Sequence, residues 1–150
     1  MCFTVCIVKN PIYVWDARRE CDVMNWDSGQ GDRRLDFYFD IDDLNVLQNF
    51  LDIKLTGTDY LEGESFGENE ERLKRMYLEA AKEKGYEMLG RIWYCYDHAI
   101  YFPPEINRLL AECQKLKENA QNPEQSAAMD KLINACGEAF KTESGIYLEF

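Results

Sequence analysis

The segment Phe37-Tyr38-Phe39-Asp40-Ile41-Asp42-Asp43 places carboxylates at the end of an apolar run. An Asp-x-Asp pair so placed could hold a divalent cation, or act as nucleophile and general acid/base toward a phosphate. The same residues suit a plainer role. Asp40 is a good N-cap, and Asp42 and Asp43 would face the positive end of a helix that needs no metal. Asp59, Glu62 and Glu64 surround Gly63, but a calcium loop spaces its oxygen ligands at alternate positions about a glycine-centred turn. These residues match that spacing poorly, so a solvated loop is the expectation. His98 is the sole histidine, and any Ser–His or Cys–His catalysis would have to use it. Cys95 is three residues away, and on a strand the two side chains would point to opposite faces. With one histidine and no Cys-x-x-Cys, a structural zinc site is not expected. Cys2 and Cys6 would share a strand face about 13 Å apart, at roughly 3.3 Å per residue, too far to bind one ion. Ser28-Gly29-Gln30-Gly31 opens no helix carrying a following Lys-Ser/Thr and is not a P-loop. No metal or cofactor is expected.

The run from Phe37 to Asp43 resembles the first motif of haloacid-dehalogenase-type phosphotransferases. That resemblance implies Asp40 as nucleophile and Asp42 as general acid/base, with Mg²⁺ bridging carboxylate and phosphate. It implies Thr56 as the second-motif hydroxyl and Lys82 or Lys84 as the phosphate-binding base. The chain departs from the pattern at Leu44, where a Thr is usual, and no acidic pair after a later strand completes the metal site.

Charge is distributed unevenly. The 150 residues carry a formal net charge of −11. Residues 1–35 balance five acids with five bases, and residues 72–150 set twelve acids against eleven bases. Residues 36–71 hold eleven acids (Asp36, Asp40, Asp42, Asp43, Asp52, Asp59, Glu62, Glu64, Glu68, Glu70 and Glu71) against one base, Lys54. Carboxylates so crowded repel one another, which interspersed lysines would relieve. Charge of one sign also speeds encounter with an oppositely charged surface and restricts partner choice. Tyr38, Tyr60 and Phe66 lie among the acids as candidate aromatic anchors. Arg18-Arg19 and Arg33-Arg34, the only paired arginines, are interleaved with acids, so direct nucleic-acid binding is not expected.

Composition is that of a folding chain, 46% hydrophobic and 13% aromatic. At this length one domain buries roughly two thirds of its unfolded surface. No apolar run approaches the roughly 18–20 residues that span a bilayer. The start, Met1 to Val8, lacks a basic n-region and a small-residue cleavage site, so a cytoplasmic chain is expected. In a reducing compartment the scattered Cys2, Cys6, Cys21, Cys95, Cys113 and Cys136 would behave as small apolar residues, with Cys113 and Cys136 on apolar helix faces.

Periodicity supplies the elements that must position these groups. Alternation and β-branching predict strands near 2–8, 12–16, 35–39, 88–96, 99–102 and 146–150, with a turn-rich loop over 25–32. Apolar stripes predict helices near 41–53, 68–84, 104–119 and 124–142. Their expected inward residues are Leu44, Leu47, Phe50 and Leu51, then Leu73, Met76, Tyr77, Ala80 and Ala81. In the last two helices they are Ile106, Leu109, Leu110, Cys113 and Leu116, then Met129, Leu132, Ile133, Cys136 and Phe140. Gly85 and Gly145 are expected to close the second and fourth helices. Strands come first and helices dominate the second half, so the fold class is α+β, a small mostly antiparallel sheet packed with about four helices in a single domain.

The functional expectation is a non-enzymatic interaction module that presents residues 36–71 to a basic protein partner. Its concrete form is an inhibitor or immunity-type protein that blocks a nuclease toxin or a nucleic-acid-binding effector. In general character the chain resembles immunity proteins and nucleic-acid-mimicking phage inhibitors. The expected contact residues are Asp36, Tyr38, Asp40, Asp42, Asp43, Asp59, Tyr60, Glu62, Glu64, Phe66, Glu68, Glu70 and Glu71. The alternatives are the Mg²⁺-dependent phosphatase-like enzyme built on Asp40 and Asp42, and a domain whose acidity serves solubility alone.

Overall fold

The computed structural model describes residues 2–9, 12–16, 21–25, 33–55, 59–93 and 99–149. Its elements are β1 (Cys2–Lys9), β2 (Ile12–Asp16), β3 (Cys21–Asn25), β4 (Arg33–Asp40), α1 (Ile41–Leu51), α2 (Phe66–Glu83), β5 (Ala99–Tyr101), α3 (Ile106–Lys117), α4 (Pro123–Lys141) and β6 (Ser144–Glu149). The class is α+β, as the sequence predicts. One sheet has the order β4-β1-β6-β5 with antiparallel pairing throughout, and β2 and β3 form a separate two-stranded antiparallel sheet. The β3 strand was not anticipated. Apart from Asn25, the expected loop over 25–32 lies outside the described residues.

The last strand sits inside the sheet. β6 pairs with β1 on one side, Val5 opposite Leu148 and Ile7 opposite Ile146, and with β5 on the other, Tyr101 opposite Ile146. Ser144 through Leu148 are all buried. Ile146 and Leu148 join the main core with Ile7, Phe39, Ala99 and Tyr101. Period-2 alternation therefore puts Tyr147 on the other face, where it too is buried.

The helices follow their stripes with instructive shifts. In α1 the buried line is Leu44, Leu47 and Leu51, and the helix stops at Asp52, which adopts the left-handed conformation (φ 54°). Aspartate tolerates that region better than most residues. In α2 the buried line is Asn69, Leu73, Tyr77 and Ala81, a strict four-residue spacing that leaves Met76 exposed. Gly85 takes the expected positive φ of 88°. Gly145 does not close α4. Glu143 takes the left-handed turn (φ 52°), because Gly145 is already paired opposite Val8 in β6. Phe140, expected inward, is exposed, and α4 instead turns small residues, Ala128, Ala135 and Ala139, to the core beside Met129, Leu132 and Cys136. Cys113 and Cys136 are fully buried free thiols, and burial pushes both up, Cys136 to about 12. The side chains of the other four cysteines lie outside the described residues.

The expected strand over 88–96 is not formed in its described part. Residues 89–91 make a 3₁₀ turn, and 94–98 lie outside the described residues. The groups that a strand would offer to a sheet are taken by side chains. The Glu112 carboxylate accepts from the Met88 and Leu89 amides, both at 3.1 Å, and the Tyr101 hydroxyl donates to the Met88 carbonyl at 2.6 Å. Gly90 lets this turn lie against α2, since a methyl there would stand 2.7 Å from the Ala81 Cβ.

Gly90→Ala should therefore lower unfolding stability by about 1–3 kcal/mol, the usual range for overpacking. Gly137→Ala, in the interior of α4 with no neighbour within 4 Å of the added methyl, should raise it by about 0.5–1 kcal/mol. Urea denaturation of both variants measures the contrast.

Candidate functional site

Of the two carboxylates that invite catalysis, Asp40 is spent on structure and Asp42 faces solvent. Asp40 caps α1: its Oδ1 accepts from the Asp43 amide at 2.9 Å, and Asp43 Oδ2 accepts in return from the Asp40 amide at 3.0 Å. Lys131, reaching over from α4, donates to the same Asp43 Oδ2 at 2.5 Å. The Lys131 ammonium thus neutralises Asp43, the residue after the Asp40/Asp42 pair that the phosphotransferase resemblance singles out. The hydrogen bond from the Asp43 amide holds the Asp40 carboxyl below its ordinary value of 3.8, with Lys131 adding to the effect. Lys84 is at the opposite end of α1, where its Nζ donates to the Leu51 and Asp52 carbonyls at 2.7 and 2.9 Å. The eleven residues of α1 separate it from Asp40 by roughly 16 Å. Asp42 and Lys82 are exposed. Thr56, Cys95, Asp97 and His98 lie outside the described residues. Among the described residues no three His, Cys, Asp or Glu side chains converge as metal ligands.

Most of the acidic window divides between two helix starts, with Asp36 on β4 and exposed Asp52 at the C-terminal end of α1. At α1, Asp40 and Asp43 are tied into the cap and to Lys131, leaving Asp42 exposed. At α2, Glu64 pairs with Arg72, whose Nε is 3.1 Å from Oε2. Asp59 and Glu70 are engaged as well. Glu62, Glu68 and Glu71 remain exposed, and none forms an ion pair among the described residues. Asp36 and Tyr38 sit on β4, and their side chains lie outside the described residues. Both neutralising cations, Lys131 and Arg72, come from beyond the window, which no count within it could reveal.

The segment before α2 is folded back onto its first turn by one buried side chain. Asn69, 4% exposed, accepts from the Leu61 amide through Oδ1 at 2.9 Å and donates through Nδ2 to the Leu61 and Ser65 carbonyls at 3.3 and 3.2 Å. Arg72 reinforces the clasp, with Nη2 donating to Asn69 Oδ1 at 2.9 Å and to the Asp59 carbonyl. Ser65 caps the helix, its hydroxyl accepting from the Glu68 amide at 3.2 Å. The clasp presents three large apolar side chains to solvent: Tyr60 at 45% exposure, Leu61 at 50% and Phe66 at 65%. Of the expected contact residues, this tip brings together Tyr60, Glu62, Phe66, Glu68 and Glu71. Leu61, Asn69 and Arg72 belong to no motif in the sequence. An Asn on the otherwise apolar line of α2 was the available signal for the clasp.

Comparison of the chain with protein-family models, with curated proteins and with solved structures returned no match.

Two outcomes check this account. Asp40→Ala should cost about 0.5–2 kcal/mol through loss of the cap, whereas Asp40→Asn should keep most of it. Because the folded carboxyl is held low, its contribution is present above pH 3.8 and lost as pH falls through the folded value. Asp40→Asn should flatten that acid limb in urea titrations. Asn69→Ala should unfasten the tip, and hydrogen exchange at the Leu61 amide should rise by about tenfold or more while α3 and α4 keep their protection.

Proposed function

We propose that this protein is a non-enzymatic interaction module whose acidic surface, drawn from residues 36–71, docks against a basic protein partner. In its most concrete form it is an inhibitor or immunity-type factor that blocks a nuclease or another nucleic-acid-binding protein. One observation carries the reading. In a fold that neutralises Asp43 with Lys131 and Glu64 with Arg72, three carboxylates, Glu62, Glu68 and Glu71, stay exposed around the N-terminal turn of α2 with no ion-pair partner among the described residues.

Electrostatic self-repulsion disfavours such a grouping unless something offsets it. The helix N-terminus offsets part of it, because its unpaired amides favour negative charge in the first turn. A cationic partner would offset the rest and would be steered toward the site over roughly a Debye length. The working contact set contracts to Tyr60, Glu62, Phe66, Glu68 and Glu71, with Asp42 at the start of α1 as a second exposed carboxylate. Asp40, Asp43 and Glu64 are committed to bonds within the fold.

Pull-down with the immobilised chain, followed by identification of what binds, tests the reading. The expected result is a basic protein that elutes with rising salt, is inhibited when bound, and is lost from the triple variant Glu62→Lys/Glu68→Lys/Glu71→Lys. A bound set unchanged by the triple variant and insensitive to salt would sink it.

A further inference from the structure

Phe66 continues the buried line of α2 past the end of the core. It stands three residues before Asn69 and seven before Leu73, on the same helical face. Yet it is 65% exposed, because no described element reaches beyond the first turn to cover it. Leu61 is held beside that turn by two hydrogen bonds to the Asn69 side chain, and Tyr60 precedes it. The apolar group is therefore fixed in place by a buried polar clasp rather than left on a free loop. Preorganised apolar side chains are the usual make-up of a binding hot spot, since little ordering entropy remains to be lost on association.

Charge complementarity selects the occupant. Glu62 lies in the turn before the helix, Glu68 in its first turn and Glu71 one turn on, so carboxylates flank Phe66 along the chain on both sides. A second copy of this chain docking tip to tip would bring like charges together. A groove built only for phosphates would be basic and polar, and would set its charged groups against Phe66 and Leu61. We propose that the tip binds a basic amphipathic protein segment, whose apolar stripe receives Phe66, Leu61 and Tyr60 and whose flanking lysines or arginines meet Glu62, Glu68 and Glu71. This rests on the acidic surface being a docking site, and adds that its anchor is apolar. The charges then govern the rate of encounter, and Phe66 governs the lifetime of the complex.

Two synthetic helical peptides of equal length and equal positive charge serve as probes. One carries leucines along one face between lysines, and the other carries serines in place of the leucines. Titration calorimetry at low and moderate salt should show the leucine peptide binding the chain about tenfold to a hundredfold more tightly than the serine peptide. Phe66→Ser should remove that difference and leave the salt dependence as it was. Leu61→Ser is the second variant, and unfolding midpoints equal to wild type show that neither has disturbed the fold. If both peptides bind equally, Phe66→Ser and Leu61→Ser change nothing, and the triple lysine variant abolishes both, the apolar anchor is overturned and the acidic surface stands. If neither peptide binds and the triple variant behaves as wild type, the docking surface itself falls, and the anchor with it.

Discussion

The fold depends on closing the sheet with the end of the chain. β6 supplies the main-chain groups that satisfy β1 on one edge and β5 on the other, and both of its faces are buried. Without it, β1 and β5 would not belong to one sheet, and the α4 face that carries Met129, Leu132 and Cys136 would lose Ile146 and Leu148 as core partners. Such pairing across nearly the full length of the chain carries a large loop-closure entropy. The local stability of α3 and α4, joined by a short connection and packed against each other, helps offset it by ordering the residues that lead into Ser144.

A second constraint governs the polar groups. At several places where the described chain departs from regular structure near the core, a side chain satisfies the backbone. Glu112 takes the amides of Met88 and Leu89, Tyr101 the carbonyl of Met88, Lys84 the carbonyls that end α1, and Asn69 both polar groups of Leu61. Burial keeps the Glu112 carboxyl above its ordinary range despite those two amide donors. The cost of leaving buried amides and carbonyls unpaired explains why these residues lie where they do. The same economy shapes the acidic window. Asp43 and Glu64 are tied up by Lys131 and Arg72, while Glu62, Glu68 and Glu71 stay exposed at the tip of α2, where water and the helix N-terminus support them.

What the sequence determined by itself was the class of the fold and most of its elements. The helices and most strands lie within a few residues of their periodicity, because burying one apolar face fixes the period. Asp40 was legible as a cap and Gly85 as a left-handed terminus, since both depend on neighbours within four residues. The concentration of acid in residues 36–71 was legible too, since it is simple counting. Tertiary structure decided the remainder. Residues 88–93 read as a strand by their apolar content, but Glu112, Tyr101 and the close approach of Ala81 to Gly90 drew them into a turn. Neutralisation of Asp43 and Glu64, the clasp of Asn69 on Leu61 and the overhang of Phe66 beyond the core all depend on which side chains meet across the fold. Hydrogen bonds and ion pairs act over a few ångströms in space, whereas residues such as Asp43 and Lys131 are 88 positions apart in the chain. No local pattern encodes that contact.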